Sequence, residues 1–212
     1  MTTKKLYPVL NYKIWMLLTI SLFALIGGIC LLALMEAALP GMIIAGLTFL
    51  TLAVIPSVTA SRMIKRNSEL RDSTIINIGP VWIIDHANLS IQDKKDICSV
   101  CYPEFLEDLV SELTDSVVYS GLDKKYYPKV KTLKPVTQCY VKVKGSVRFQ
   151  WGTADKIVAG LAYGHETETE WRGDLAVWTS LFKHEVSHVL FNGTAARDNT
   201  GLQHKLMSVK GF

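Results

Sequence analysis

Two long uncharged stretches dominate the first third of the chain. Residues 14–35, IWMLLTISLFALIGGICLLALM, hold no charged side chain. At about 1.5 Å rise per residue, such a run is long enough as a helix to cross a hydrocarbon core of roughly 30 Å. A second uncharged run, residues 37–60, is interrupted only by Pro40, Gly41 and Pro56. The link around Glu36 is short, so the pattern predicts a transmembrane helical hairpin over residues 14–60, behind an N-terminal tail of residues 1–13. A cleaved signal peptide is the competing explanation of the first run. Its apolar core is too long for one, and a second span follows where a mature domain should begin.

Beyond residue 60 the pattern changes. Residues 61–74 are charged and predict a juxtamembrane connector that continues the second helix. Short β-like runs follow at 75–78 and 81–85, broken by Gly79-Pro80. Tyr102-Pro103-Glu104 then opens an amphipathic helix with Phe105, Leu106, Leu109, Val110, Leu113, Val117 and Val118 at helical spacing. After a lysine-containing loop the period falls to two, and 136–143, 147–151, 157–163 and 167–171 read as strands, with turns at Gly145 and Gly152. Residues 174–191 read as a helix closed by Asn192-Gly193. The predicted fold class is α+β: a two-helix transmembrane hairpin, then one domain over 75–212 with an amphipathic helix, an antiparallel-rich sheet and a long helix near its end. Trp151, Trp171 and Trp178 are expected in its core.

Charge orients this arrangement. Lys4, Lys5 and Lys13 precede the first span; Arg62, Lys65, Arg66 and Arg71 follow the second; the link carries only Glu36. The positive-inside rule therefore places both termini and the soluble domain in the cytoplasm. Much of the formal net charge of +4 is accounted for by these juxtamembrane positions, which suit anionic headgroups. The remaining basic cluster, Lys124, Lys125, Lys129, Lys131 and Lys134, reads as a solvated loop face, so no nucleic-acid partner is expected. Of the four cysteines, Cys30 lies in the first span, Cys98 and Cys101 form a CxxC before a helix, and Cys139 stands alone. A cytosolic domain disfavours structural disulfides, and buried unpaired thiols are expected. The sequons at Asn88 and Asn192 would matter only in a secretory lumen.

The chemistry concentrates in the last helix, at His184-Glu185-Val186-Ser187-His188. On a helix, residues four apart share a face, so His184 and His188 can bind one metal ion, with Glu185 beside them as a base for a metal-bound water. At about 100° per residue, Leu175, Trp178, Phe182, Val186, Val189 and Leu190 gather on one arc. The two histidines fall on another with Val177 and Leu181; Ser180, Lys183 and Ser187 make a narrow polar edge. The helix should pack on a sheet with one side and face a partly apolar cleft with the other. Asp174, Lys183 and Glu185 make a third membrane span improbable. A catalytic zinc takes three protein ligands and leaves a position open. The segment after the helix offers His204, preferred because imidazole suits zinc, and Asp198 as the alternative third ligand, both on a loop returning over the helix. His165 and Tyr163 are weaker candidates for substrate contact.

The stretch Leu181 to Leu190, LFKHEVSHVL, resembles the motif helix of the zincin metallopeptidases. The resemblance covers roughly residues 105–204 and is specific over about ten residues. It implies a zincin-like metallopeptidase domain with Zn2+ at His184, His188 and His204 and Glu185 as general base. It also implies a peptide or protein substrate that pairs with the strand preceding the motif helix. The chain departs from the two common completions: HExxHxxGxxH is absent, and no acid follows Asp198 to supply a glutamate ligand. The expectation is a membrane-anchored zinc metallopeptidase with the lipid bilayer as a partner, compatible with a homo-oligomer or larger membrane assembly. The alternative is a non-enzymatic membrane assembly protein (secretion, conjugation or a membrane-containing virus) whose zincin-like domain is a scaffold.

Overall fold

A computed structural model describes residues 10–33, 40–134, 137–151 and 153–212. Lys4 and Lys5, the link around Glu36, Val136, the turn at Gly152 and the side chain of Trp151 lie outside the described residues. The chain divides into two compact units, Leu6–Asp72 and a second that takes in Ser73–Phe212.

The first unit is a helical hairpin of α1 (Tyr12–Ala33) and α2 (Pro40–Asp72). Small residues line its seam. A Cβ on Gly28 would stand 3.0 Å from Leu50 and 3.2 Å from the Gly46 carbonyl, so glycine lets the backbones approach. Ser21 Oγ donates to the Ala53 carbonyl at 2.7 Å, and Ala24, Ala53 and Ala60 are buried. Large apolar side chains, Trp15, Phe23, Ile29, Leu47 and Ile55 among them, point outwards. With mean hydropathies of 2.0 and 1.7, both helices are long and apolar enough to cross a membrane. α2 includes Pro56 and runs on through the charged residues up to Asp72.

The second unit is α+β. Its strands are β1 (Thr74–Ile78), β2 (Val81–Asp85), β3 (Thr137–Val143), β4 (Arg148–Trp151), β5 (Ala154–Ile157), β6 (Gly160–Tyr163) and β7 (Glu166–Trp171). The main sheet has the order β1-β2-β3-β7-β6, and β4 and β5 form a separate ribbon. The expected antiparallel-rich sheet is corrected to a mixed one: β3 runs parallel to both β2 and β7, and only the outer pairs are antiparallel. The reason is the connection between β2 and β3. Two helices, α3 (Ile91–Val100) and α4 (Phe105–Tyr119), intervene there, and a crossover of that length returns the chain to start a parallel neighbour. The predicted strand at 157–163 is two strands, since Ile157 ends the ribbon and Gly160 begins β6. α3 was not legible from periodicity because only Ile97 on it is buried; its signal is the capping box of Ser90 with Asp93.

α4 and α5 (Leu175–Phe191) share the core with the sheet. Leu106, Leu109, Leu113 and Val117 from α4, Trp178, Phe182, Val186, Val189 and Leu190 from α5, and Val81, Ile83, Cys139 and Val141 from the sheet are all buried. Each such side chain contributes about 1.5–3 kcal/mol by leaving water. Trp178 stacks on Phe182 with centroids 5.0 Å apart, and its indole N–H donates to Thr169 Oγ1 at 3.2 Å. Trp171 packs against the same core. Ser187 departs from the predicted polar edge: it is fully buried, its hydroxyl satisfied by the Lys183 carbonyl at 2.6 Å. No cysteine is in a disulfide; Cys101 and Cys139 are buried, whereas Cys98, on α3 itself, is exposed. The five lysines of residues 124–134 are exposed around two 3-10 turns, Lys124–Tyr126 and Val130–Thr132.

Candidate metal centre

α5 starts where Asp174 caps it, accepting from the backbone N–H groups of Ala176 and Val177 at 2.9 and 3.0 Å. Its buried arc fixes the rotation of the helix, and that rotation turns His184 and His188 away from the core. The expected return loop is instead a helix, α6 (Thr200–Ser208), capped by Asn199 accepting from Leu202 N at 2.9 Å. α6 brings His204 to the pair. One ring nitrogen from each of His184, His188 and His204 lies within 4.8 Å of the others. The ring centroids are 5.0, 5.2 and 5.0 Å apart, a nearly equilateral set. His188 Nε2 and His204 Nε2 are 3.2 Å apart. Two nitrogens each about 2.05 Å from a tetrahedral zinc stand about 3.3 Å from one another, so this separation matches a shared ion. The group can hold a metal ion. Asp198 is not part of it; its carboxylate is 97% exposed and lies 3.9 Å from Arg197 Nε.

Gln203, beside His204 on α6, is a functional candidate that sequence reasoning missed. Its side-chain NH2 donates to the carbonyls of Ala196 at 2.7 Å and Arg197 at 3.1 Å. With both amide hydrogens so used, Oε1 is left to accept, and it faces His188 Nδ1 at 2.6 Å. His188 therefore carries its proton on Nδ1 and turns the Nε2 lone pair towards His204, the tautomer a metal ligand needs. Burial lowers the pKa of His188 to about 4, against the Gln203 hydrogen bond, which raises it. Burial and then the nearby His204 lower that of His184, while a hydrogen bond to the Phe212 backbone raises it. Both imidazoles are thus held neutral, as ligation requires.

Glu185 is buried, and burial alone raises its pKa to about 7. Its carboxylate stands against Gly160 at the start of β6. A Cβ there would meet Glu185 Cγ and Leu181 Cδ1 at 2.8 Å each, with Glu185 Oε1 closer still, so glycine leaves the room the carboxylate occupies. A cleft of about 450 Å³ joins these parts, lined by Gly160, Leu161 and Ala162 of β6, by His184, Glu185 and His188 of α5, by Gln203 and His204 of α6 and by Phe149 of the ribbon. The strand that flanks the cleft is β6, not the expected β7, which lies inside the sheet between β3 and β6. β6 is the last strand of the sheet among the described residues, and such an edge can accept an added strand. His165 and Tyr163 do not line the cleft. His165 sits in the turn between β6 and β7 with its Nδ1 buried and unpaired, and the Tyr163 hydroxyl faces Glu168 at 3.4 Å.

No protein-family model, curated protein or solved structure matches the chain. Geometry alone carries the argument. It places three imidazoles that can hold a metal ion, a buried carboxylate with a raised pKa and the outer described strand of the sheet around a single cleft.

Proposed function

We propose that the protein is a membrane-anchored zinc metallopeptidase of zincin type. The observation that carries this reading is the convergence of His184, His188 and His204 beside the buried Glu185 in one cleft. Three imidazoles suit zinc better than magnesium or calcium, which prefer oxygen ligands. A zinc ion held there supplies Lewis acidity, acidifying water and polarising the scissile carbonyl. Glu185, with a pKa near neutrality, takes the proton from the attacking water and delivers it to the departing amine. Gln203 holds the His188 tautomer. The free edge of β6 pairs with an extended peptide and lays its backbone over the three histidines.

The hairpin gives this chemistry a location. Only Ser73 separates α2 from β1, so the peptidase unit is tethered close to the end of a membrane-spanning helix. With the basic flanks of both spans on the cytoplasmic side, the unit faces the cytosol and acts on substrates at the membrane surface.

The test compares metal content and proteolysis of the purified full-length protein, wild type against Glu185→Gln. Zinc bound by both, with proteolysis lost only in the variant, is the expected result. A wild-type protein that takes up no zinc overturns the reading. Zinc without cleavage of any peptide favours the scaffold alternative.

A further inference from the structure

The charge around the cleft points to a class of substrate. Among the described residues that line it, Arg197 is the one permanent cation and Glu185 the one carboxylate, and Glu185 has its role in proton transfer. Arg197 lies on the connection from α5 to α6 and lines the cleft, as Asn192 does. Its backbone is fixed: its N–H donates to the Thr194 carbonyl at 3.2 Å, and its own carbonyl accepts from Gln203 at 3.1 Å. The side chain that holds His188 in its ligand tautomer thus also holds the Arg197 backbone, through its other end. Its guanidinium is not engaged in comparable fashion. Among the described residues its one ion pair is with the neighbouring Asp198 at 3.9 Å, and that carboxylate is 97% exposed, a contact that water screens and a ligand can replace. A second observation agrees. His165, in the adjoining turn, lies within electrostatic reach of both Arg197 and Lys134, so one further cation stands near this end.

Strand geometry gives the reach. Gly160 touches Glu185, and the Gly164 carbonyl accepts from Asn192 Nδ2 at 2.5 Å, so β6 runs from the catalytic carboxylate to the Arg197 end of the cleft. Four residues of strand cover about 13 Å, and a peptide paired with this edge covers the same span.

We propose that Arg197 is the substrate-recognition residue of this cleft, selecting peptides that carry a carboxylate within about four residues of the bond cleaved. The inference rests on the peptidase reading of the same site. The carboxylate comes either from an aspartate or glutamate side chain or from a free peptide C-terminus. The guanidinium fork grips both in the same way.

The test uses the full-length, zinc-loaded protein and peptide pairs identical except for Glu against Gln at each position, all C-terminally amidated. A further acid-free pair differs only in a free or amidated C-terminus. The wild type should favour the acidic member of at least one pair by about tenfold or more in kcat/KM, as a charge-assisted hydrogen bond to carboxylate implies. The pair that shows the preference identifies the source. Arg197→Gln should bring that ratio close to one, and Arg197→Glu should invert it in favour of a lysine peptide. A ratio near one in the wild type, or an acidic preference that survives in Arg197→Gln, overturns the proposal.

The same pairs are measured as labelled peptides by fluorescence anisotropy on zinc-loaded Glu185→Gln, with and without Arg197→Gln. Acid-selective binding that depends on Arg197, in a protein whose wild type cleaves nothing, would support Arg197 while failing the peptidase reading. Binding without selectivity, or no binding at all, overturns the Arg197 assignment.

Discussion

α5 and α6 contribute to the same group of three imidazoles, yet each is held in place differently. α5 has 17 residues, a side-chain cap at Asp174 and a buried arc from Trp178 to Leu190, so the core fixes it whether or not a metal is bound. α6 has nine residues, of which Gln203, Leu206 and Met207 are buried. A helix that short is not stable by itself, and it depends on those few contacts. The candidate metal site therefore has a rigid half, with His184, His188 and Glu185, and a lightly held half, with His204 and Gln203. Substitutions on the two helices should separate metal binding from stability.

Removing a ligand gives the greatest loss. His204→Ala and His188→Ala should each lower zinc affinity well beyond the roughly 10–100-fold attached to residues that merely orient a ligand. They should differ in the metal-free protein. His204 is exposed, so its loss should leave stability within about 0.5 kcal/mol, whereas the more buried His188 also gives up its bond to Gln203. Chelator competition reads the affinity and denaturant titration the stability. Wild-type affinity in His204→Ala would remove α6 from the site.

Glu185 tests the rigid half. Burial raises its pKa from 4.5 to about 7, above the unfolded value. The folded state thus binds the proton more tightly, and the stability this group gives is complete below pH 4.5 and lost as pH rises through about 7. For the metal-free protein at pH 8 the cost is on the order of 3 kcal/mol. Glu185→Gln keeps the shape without the charge, so the metal-free variant should be more stable than wild type by about that amount at pH 8 and no more stable at pH 4. Denaturation midpoints at the two pH values decide it. A gain independent of pH would show that burial of charge is not its source.

On the lightly held half, Gln203→Ala frees His188 Nδ1 and the carbonyls of Ala196 and Arg197 together. Zinc affinity should fall by about 10–100-fold. Gln203→Glu can still accept from His188 and should recover part of it, which a purely structural role for α6 would not produce.

The contrast between the helices also explains what the sequence could reveal. α5 was legible because its periodicity, its cap and the HExxH spacing all lie within one local segment. The hairpin was legible for the same reason: long uncharged runs need no partner to be recognised. His204 could be named by ligand chemistry, but its helix could not, since nine residues with a weak apolar stripe look like a loop. Gln203 was invisible because its role lies in what its two ends touch, and those partners are set by the turn between α5 and α6. The parallel pairing of β3 and the edge position of β6 were hidden likewise. Strand order depends on where crossovers return the chain, and alternation along a strand does not record its neighbours. No local pattern distinguishes Gly160 from a turn glycine.

Gly160 offers the finest probe of the rigid half. Its backbone lies in an ordinary strand that alanine also adopts, so the added methyl meets only side chains: Leu181 and Glu185, at 2.8 Å or less. Neither can retreat into the core, because the buried arc of α5 fixes the helix that carries them. Gly160→Ala should therefore cost about 1–3 kcal/mol as overpacking and push the carboxylate aside by roughly 0.5–1 Å. Zinc affinity should stay within a few-fold of wild type, since the three histidines are not touched. If Glu185 is the base, peptide cleavage should fall on the order of tenfold from its misplacement alone, seen in kcat rather than KM. Unchanged turnover in a variant that retains its zinc would mean that the position of Glu185 against β6 does not matter to the chemistry.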